Sequence, residues 1–156
     1  MFIPKQFRET DTDILHDLIA ANPFGILIGQ RDGAPFASHI PFVLDRTAGP
    51  NGALIGHVAK NNPHGAMFDG ATTLLAIFEG PHAYISPRWY VPGDAVPTWN
   101  YAVVHAYGTA HEVRDIGKVR VQQETLIATF EGTGPDAWSI SDQPASYIEG
   151  MLRGVT

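Results

Sequence analysis

The sequence contains no cysteine. This absence excludes disulfide bonds, thiolate-bound zinc and a cysteine nucleophile. The sequence also lacks any run near the ~18 apolar residues that a membrane-spanning helix needs. Its N-terminal stretch MFIPKQFRETD has no apolar core of signal-peptide length. We therefore expect a soluble cytoplasmic protein with no membrane partner.

Positive charge is scarce as well. Ten Lys and Arg residues face sixteen Asp and Glu residues, which gives a net charge of −6, and the basic residues form no run. Because proteins bind the phosphate backbone through Lys and Arg, DNA is a weakly supported partner. The hydrophobic fraction of 44% and the length of 156 residues predict a single globular domain over residues 1–156.

Several catalytic signatures are missing. The sequence has no HExxH, P-loop, GxGxxG or GxSxG motif, so zinc proteases, NTPases, dinucleotide-binding enzymes and serine hydrolases lack support. Seven histidines are present, but their spacings fit no compact set of metal ligands. We predict no metal site.

Short hydrophobic runs and turn signals predict a mainly β fold with flanking helices. Helical periodicity indicates helices over residues 13–22, 116–132 and 142–152, and Pro63 indicates a further helix start. A Pro- and Gly-rich loop is predicted over residues 87–98. Six closely spaced runs predict the strands of an antiparallel β-barrel: residues 24–29, 35–44, 53–59, 72–80, 81–86 and 100–113.

Two polar motifs interrupt these apolar runs. In HVAKNNPH, residues 57–64, a polar turn leads to a helix start, where backbone N–H groups and Lys60 would suit a phosphate. A capped helix with an exposed lysine fits this motif equally well. In SHIPF, residues 38–42, Pro41 cannot donate to a strand ladder, which indicates an edge strand or a place where an outside group takes the missing hydrogen-bond role. An edge strand with only a surface histidine fits this motif as well.

Aromatic and polar side chains concentrate in two later segments, GPHAYISPRWY (80–90) and VPTWNYAVVHAYG (96–108). Four consecutive residues at the start of the last strand have polar or stacking side chains: Thr98, Trp99, Asn100 and Tyr101. Three more alternate onto one face of that strand: His105, Tyr107 and His111. These segments fit a pocket wall or a subunit contact, and they also fit a packed barrel corner.

Five segments together resemble the PaiB family, the FMN-binding negative transcriptional regulators with the FMN-binding split-barrel fold: MFIPKQF, ASHIPF, GHVAKNNPH, FEGPHAYISPRWY and VPTWNYAVVHAYG. The similarity extends over nearly the whole chain, and its last two segments are long and specific. The resemblance implies a six-stranded antiparallel split β-barrel that forms a homodimer, with two FMN sites at the dimer interface.

The resemblance also implies which residues hold the FMN. One side of the flavin would be lined by Ser38, His39, Ile40 and Pro41. The ribityl phosphate end would be held by His57, Ala59, Lys60, Asn61 and Asn62. A neighbouring segment, of this subunit or the other, would contribute Thr98, Trp99, Asn100 and Tyr101. Similar proteins continue with a further strand and a polar tail where this sequence ends in MLRGVT; where such a tail covers the flavin, its absence would lower FMN occupancy.

Three functions are compatible with these features. The family implies a flavin-binding negative regulator of transcription. Because no helix-turn-helix pattern is evident, we expect it to act through a partner protein or the redox state of its flavin. The fold is similar to that of pyridoxamine-phosphate oxidases and flavin reductases, so an FMN-dependent oxidoreductase acting on a small molecule is the alternative; His39, His57 and His105 could titrate near neutrality. Haem binding, which needs a histidine with one open face, ranks third.

Overall fold

Three α-helices and six β-strands make up the described part of the chain, residues 1–90, 93, 95–132, 134 and 136–156 of the computed structural model. The helices are α1 (Thr12–Ala21), α2 (Ile116–Glu131) and α3 (Ala145–Arg153). The strands are β1 (Phe24–Arg31), β2 (Ala34–Pro41), β3 (Val43–Asp45), β4 (Ala53–Ile55), β5 (Asp69–Ile85) and β6 (Thr98–His111). Of the predicted loop over residues 87–98, Val91, Pro92 and Asp94 lie outside the described residues.

The longer strands form one antiparallel sheet in the order β2-β1-β5-β6, and β3 pairs with β4 in a two-stranded sheet. A two-residue turn joins β1 to β2. Its residues Asp32 and Gly33 have positive φ angles of 52° and 78°, a conformation that suits the right-handed twist of the flanking strands. β2 has a neighbour on one side only, so Pro41 lies on an edge strand, as its missing N–H predicts.

The two faces of the four-stranded sheet differ in what they pack against. The inward face belongs to the main core, in which Phe78 is 0% exposed and meets Phe42 edge-on at a centroid distance of 5.4 Å. The buried members of this core are Ile19, Leu27, Ile40, Phe42, Val58, Met67, Leu74, Ala76, Phe78 and Val104. On the outward face, five aliphatic side chains stay half-buried and belong to neither core cluster of the described residues: Ile26, Ile28, Leu75, Ile77 and Val103.

The helices begin and end close to the predicted positions. Asp11 caps α1 by accepting from the backbone N–H of Asp13 at 2.9 Å, and Asp115 caps α2 in the same way. Gly132, with a φ of 79°, follows the last residue of α2, as a glycine stop predicts. α3 begins three residues later than predicted, because residues 140–142 form a 3₁₀ turn before it. A second core cluster joins α2 to α3: Val119, Ile140, Ile148 and Leu152.

The predicted division between residues 72–80 and 81–86 is wrong. β5 runs without interruption from Asp69 to Ile85. Its register against β6 shifts between Glu79 and His82. Pro81 therefore falls in a bulge, where its missing N–H breaks no regular ladder bond.

Three further predicted boundaries differ from the structure. The run 35–44 divides into β2 and β3, because β2 pairs with β1 whereas β3 pairs with β4 in a second sheet. Only the first half of the run 53–59 is a strand, namely β4. The helix predicted from Pro63 is a five-residue 3₁₀ turn, Pro63–Met67.

The mainly β class, the antiparallel pairing and the flanking helices are confirmed. None of the described helices is both long and apolar enough to cross a membrane.

We expect Phe78→Ala to lower the free energy of unfolding by about 3–5 kcal/mol, since it removes a large, fully buried aromatic ring and leaves a cavity. Urea unfolding monitored by circular dichroism measures this loss. Phe130→Ala on α2 is the matched control, because its ring is 50% exposed, and its effect should stay within about 0.5 kcal/mol. Equal effects of the two substitutions would contradict the position of Phe78 at the centre of the core.

Candidate functional site

Two of the predicted site segments meet through a closed cycle of three hydrogen bonds. The backbone N–H of His64 donates to Asn62 Oδ1 at 2.9 Å, and Asn62 Nδ2 donates to Ser38 Oγ at 3.1 Å. Ser38 Oγ and His64 Nδ1 complete the cycle at 3.0 Å. The polar turn that follows β4 is therefore fixed against the edge strand β2.

His64 is the most enclosed polar side chain of this site. Its ring is 0% exposed and packs against the ring of Phe36 at a centroid distance of 4.7 Å. Burial lowers the pKa of His64 below its ordinary value, although a backbone carbonyl of Phe36 partly offsets this. Its second nitrogen, Nε2, has no hydrogen-bond partner among the described residues.

Lys60 forms an ion pair with Glu112, which follows β6. Lys60 Nζ donates to Glu112 Oε1 at 2.7 Å, and Arg114 Nε donates to Oε2 at 2.8 Å. The hydroxyl of Thr156 adds a third hydrogen bond at 3.1 Å. These contacts from Lys60, Arg114 and Thr156 lower the pKa of Glu112 to about 2. The carboxylate is therefore ionised at any physiological pH and neutralises part of the positive charge of Lys60 and Arg114.

The C-terminal residues pair with the segment that carries Lys60. The backbone groups of Val58 and Thr156 exchange two hydrogen bonds, at 2.8 and 2.9 Å, and the N–H of Lys60 donates to the carbonyl of Gly154 at 2.8 Å. Next to this short pairing lies an open groove of about 330 Å³. The residues that line it are Lys60, Asn61, Asn62, Pro63, Gly65, Ala66, Glu112 and Thr156.

The four predicted flavin-wall residues occupy the edge strand with alternating orientations. Ile40 is buried in the main core and Ser38 is half-buried on the same face, whereas His39 is exposed on the outward face. The ring of His39 stacks on the exposed ring of Phe24, with centroids 6.3 Å apart and an interplanar angle of 30°. A flat ligand along this free edge could contact the backbone of all four residues, but the side chain of Ile40 is already used by the core.

The remaining residues of the predicted phosphate segment are less enclosed. Ala59 and Asn61 are exposed, and Asn62 is half-buried. His57 is half-buried as well, and its Nδ1 has no partner among the described residues. Burial lowers the pKa of His57. Because Pro63 begins only a short 3₁₀ turn, it does not supply the helix N-terminus expected to bind a phosphate. The anion-binding groups of this segment are therefore the ammonium of Lys60 and the side-chain amides of Asn61 and Asn62.

The third predicted segment lies far from the other two within one chain. His39 on β2 and His105 on β6 occupy the same register position in the sheet, three strand spacings apart. Tyr101 lies four residues from His105 along β6. With strands about 4.8 Å apart and a rise of about 3.3 Å per residue, Tyr101 is about 20 Å from His39 along the sheet. All four residues of this segment are exposed: Thr98, Trp99, Asn100 and Tyr101.

These four residues belong to a two-stranded arm, residues 80–85 of β5 and 98–101 of β6. Tyr84 lies opposite Trp99, and their rings meet edge-on at 6.0 Å. Trp99 is nevertheless 59% exposed. The arm thus presents aromatic surface that the described part of the chain leaves open.

Two residues of the site were missed by the sequence analysis. His64 belongs to the motif HVAKNNPH, but no local signal distinguishes a ring that faces β2 from one that faces solvent. Glu112 is separated from Lys60 by 52 residues, so no spacing rule could have paired them. In the described residues, no three His, Asp or Glu side chains lie together as metal ligands would.

The family model FMN_bind_2, described as "Putative FMN-binding domain", matches residues 1–156. The chain belongs to this family. The resemblance to PaiB is confirmed as well: the chain is 38% identical over 110 residues to "Protease synthase and sporulation protein PAI 2" of Bacillus subtilis (strain 168), which takes in 70% of this chain and 52% of that protein. The chain thus spans about half the length of this relative of the FMN-binding family.

Fungal proteins are also similar to this member of the FMN-binding family. An uncharacterized protein of Emericella nidulans is 31% identical over 198 aligned positions, which cover 99% of this chain and 77% of that protein. One from Saccharomyces cerevisiae is 31% identical over 137 positions, covering 74% and 80% of the two chains.

Two solved structures share the fold. The FAD and haem binding protein from Mycobacterium smegmatis superimposes with a TM-score of 0.67 at 18% identity, over 94% of this chain and 64% of that one. The flavocytochrome Anf3 from Azotobacter vinelandii gives a TM-score of 0.71 at 12% identity, over 98% and 65%. Together with the family match, they confirm the split-barrel fold.

The buried histidines predict that the protein loses stability in mild acid. Burial lowers the pKa of His57, His64 and His105 below the ordinary value of 6.5; the charge of the N-terminus adds to this for His105. Below about pH 6.5 the unfolded chain therefore binds more protons than the folded chain, so the free energy of unfolding falls as the pH decreases, whereas above pH 7 the stabilisation is fully present.

Urea unfolding at intervals between pH 8 and pH 5 measures this slope. His64→Gln should flatten it, and Thr109→Ala, which removes an exposed side chain that does not titrate, should leave it unchanged. A constant free energy of unfolding across this range would show that these histidines titrate alike in both states.

Proposed function

We propose that the protein binds FMN as a homodimer, with the flavin along the free edge of β2 and the phosphate at Lys60. The hydrogen bond from Asn62 to Ser38 carries this proposal, because it places the predicted ring-binding strand beside the predicted phosphate-binding segment. Two segments 24 residues apart in sequence thereby form one continuous polar surface at a sheet edge.

The residues at this edge fit the chemistry of FMN. The isoalloxazine ring needs flat apolar walls and a few hydrogen bonds, which the stacked rings of Phe24 and His39 and the unpaired edge of β2 would supply. The phosphate needs a cation and N–H donors, which Lys60 and Asn61 would supply at the open groove. When bound, FMN supplies the capacity to accept and release electrons.

Glu112 would compete with a bound phosphate for Lys60. Its carboxylate already accepts from Lys60 at 2.7 Å, so a phosphate would compete with it for the same ammonium group. Arg114, which is 85% exposed and also contacts Glu112, would remain to neutralise the carboxylate when Lys60 turns toward a ligand. This competition predicts moderate rather than very tight binding of the phosphate.

The distance between segments supports a second copy of the chain at the site. Tyr101 and His39 of one chain lie about 20 Å apart along the sheet, which exceeds the length of an isoalloxazine ring. The arm that carries Thr98–Tyr101 would reach the flavin of a partner subunit instead. The half-buried aliphatic row on the outward face of the sheet, from Ile26 to Val103, offers the apolar surface that such a dimer needs.

We infer a regulatory rather than a DNA-binding role for this flavin site. The net charge of −6 disfavours direct contact with the phosphate backbone. Negative regulation of transcription, as the PaiB family implies, would then depend on a partner protein that responds to bound or reduced FMN. NADH- or NADPH-dependent bleaching of the flavin without any such partner would favour the alternative, an oxidoreductase acting on a small molecule.

We expect Lys60→Ala to weaken FMN binding about tenfold, because it removes a charge-assisted hydrogen bond to the phosphate. Absorption spectra of the protein after addition of FMN and desalting show whether flavin is retained, and fluorescence titrations with FMN and riboflavin give the affinities. Riboflavin, which has no phosphate, should bind both proteins alike.

Lys118→Ala, an exposed lysine of α2, is the matched control for loss of charge. Absence of saturable FMN binding by the unsubstituted protein in the fluorescence titration would refute the cofactor assignment. Flavin retention with unchanged FMN affinity in Lys60→Ala would refute only the phosphate position.

We expect Trp99→Ala to shift the protein from dimer toward monomer or to reduce FMN binding, because Trp99 is 59% exposed on the arm that would contact the partner. Sedimentation velocity over a concentration series measures the first effect and flavin titration the second. Trp138→Ala removes another exposed tryptophan, 44% exposed and outside the arm, and should change neither. If Trp99→Ala matched the unsubstituted protein in both measurements, the arm would have no role in assembly or in the site.

A further inference from the structure

Ser38 has two protein partners that restrict how it can meet a ligand. Asn62 Oδ1 accepts from the backbone N–H of His64, which fixes the orientation of the Asn62 amide. Its Nδ2 therefore faces Ser38 and donates to Oγ at 3.1 Å. One of the two acceptor positions of the Ser38 hydroxyl is thus filled.

The second partner is the ring of His64. The nitrogen that carries its proton decides whether Ser38 Oγ accepts from the ring or donates to it. Because burial lowers the pKa of His64, the ring is neutral at pH 7 and carries one proton, on Nδ1 or on Nε2. Nε2 is buried and makes no hydrogen bond among the described residues, although the backbone carbonyl of Phe36 lies near the ring. A proton on Nε2 would leave a buried N–H without a well-formed partner, which is rarer in proteins than an unpaired acceptor. A proton on Nδ1 instead donates to Ser38 Oγ at 3.0 Å.

With donors from Asn62 and His64, both acceptor positions of Ser38 Oγ are filled. Its own hydrogen then remains, and Ser38 Oγ makes no other hydrogen bond in the described part of the chain. We propose that Asn62 and His64 restrict Ser38 to donating, so that the site selects a ligand atom that accepts a hydrogen bond. Such an atom is a carbonyl oxygen, an unprotonated ring nitrogen or a phosphate oxygen.

His64 is a positioning residue in this arrangement, because it acts through Ser38 and is itself fully buried. The identity of the ligand rests on the proposed function, whereas the protonation state of His64 does not. Ser38 belongs to the strand that would hold the ring and contacts the segment that would hold the phosphate. Both ends of FMN offer acceptors, and probes that lack one end or the other distinguish them.

The first experiment measures the proton on His64 in the full chain without ligand. Long-range ¹H–¹⁵N NMR correlations of histidine side chains at pH 7.5 distinguish a protonated Nδ1 from a protonated Nε2, and His64→Gln assigns the signal. We expect a protonated Nδ1. A protonated Nε2 would overturn the proposal, because the Ser38 hydroxyl would then donate its hydrogen to Nδ1 and could only accept a hydrogen bond from the ligand.

The second experiment measures which ligand the Ser38 hydroxyl contacts. Ser38→Ala should weaken binding about three- to tenfold, the range of one hydrogen bond, for riboflavin and FMN if the acceptor is on the ring, or for FMN and inorganic phosphate if it is on the phosphate. Thr109→Ala, an exposed hydroxyl on β6, is the control. Unchanged affinity of Ser38→Ala for all three probes would overturn the proposal.

Two substitutions of His64 test its positioning role. Gln at position 64 keeps an N–H that can donate to Ser38, whereas Met fills similar space without a donor. We expect His64→Gln to retain most of the ligand affinity and His64→Met to lose as much as Ser38→Ala. Equal affinities in the two variants would contradict the positioning role. If the unsubstituted protein binds none of the three probes, the proposed function fails, while the NMR measurement still decides the state of His64.

Discussion

The hydrogen bond between Asn62 and Ser38 is the contact on which the site depends. It holds an irregular, polar segment against the edge strand β2, whose exposed His39 stacks on Phe24 of β1. Together with the contacts of His64 with Ser38 and Phe36, it fixes the position of the groove beside Lys60 relative to β2. Because the cycle closes through the buried ring of His64, further hydrogen bonds hold both partners of the contact.

Charge at the site is balanced inside the protein before any ligand arrives. Glu112 accepts from Lys60, Arg114 and Thr156 at once, and these contacts keep its pKa near 2. The groove is therefore not a bare cationic patch, which agrees with the acidic composition of the chain. An anion that binds here must offer Lys60 a better partner than Glu112 does, and a phosphate group, with more charge and more acceptor atoms than a carboxylate, meets that condition.

The exposed arm and the outward face of the sheet have the same physical character. Both carry apolar or aromatic side chains that no core cluster of the described residues includes. A sheet face of aliphatic residues is costly to leave in water, and a second copy of the chain would cover it while bringing Trp99 and Tyr101 to the other edge. Dimerisation and completion of the flavin site would then be one event.

The sequence by itself determined the class of the fold, the family, the edge position of β2 and the ends of α1 and α2, because periodicity, Pro41, Asp11, Asp115 and Gly132 act locally. Only the tertiary structure decided that residues 72–86 form one bulged strand, since the pairing with β6 tolerates Pro81. It alone decided that Lys60 pairs with Glu112, that His64 faces Ser38 and that residues 98–101 lie far from β2. These relations join positions remote in sequence, and local patterns carry no information about which remote side chain fills a hydrogen bond.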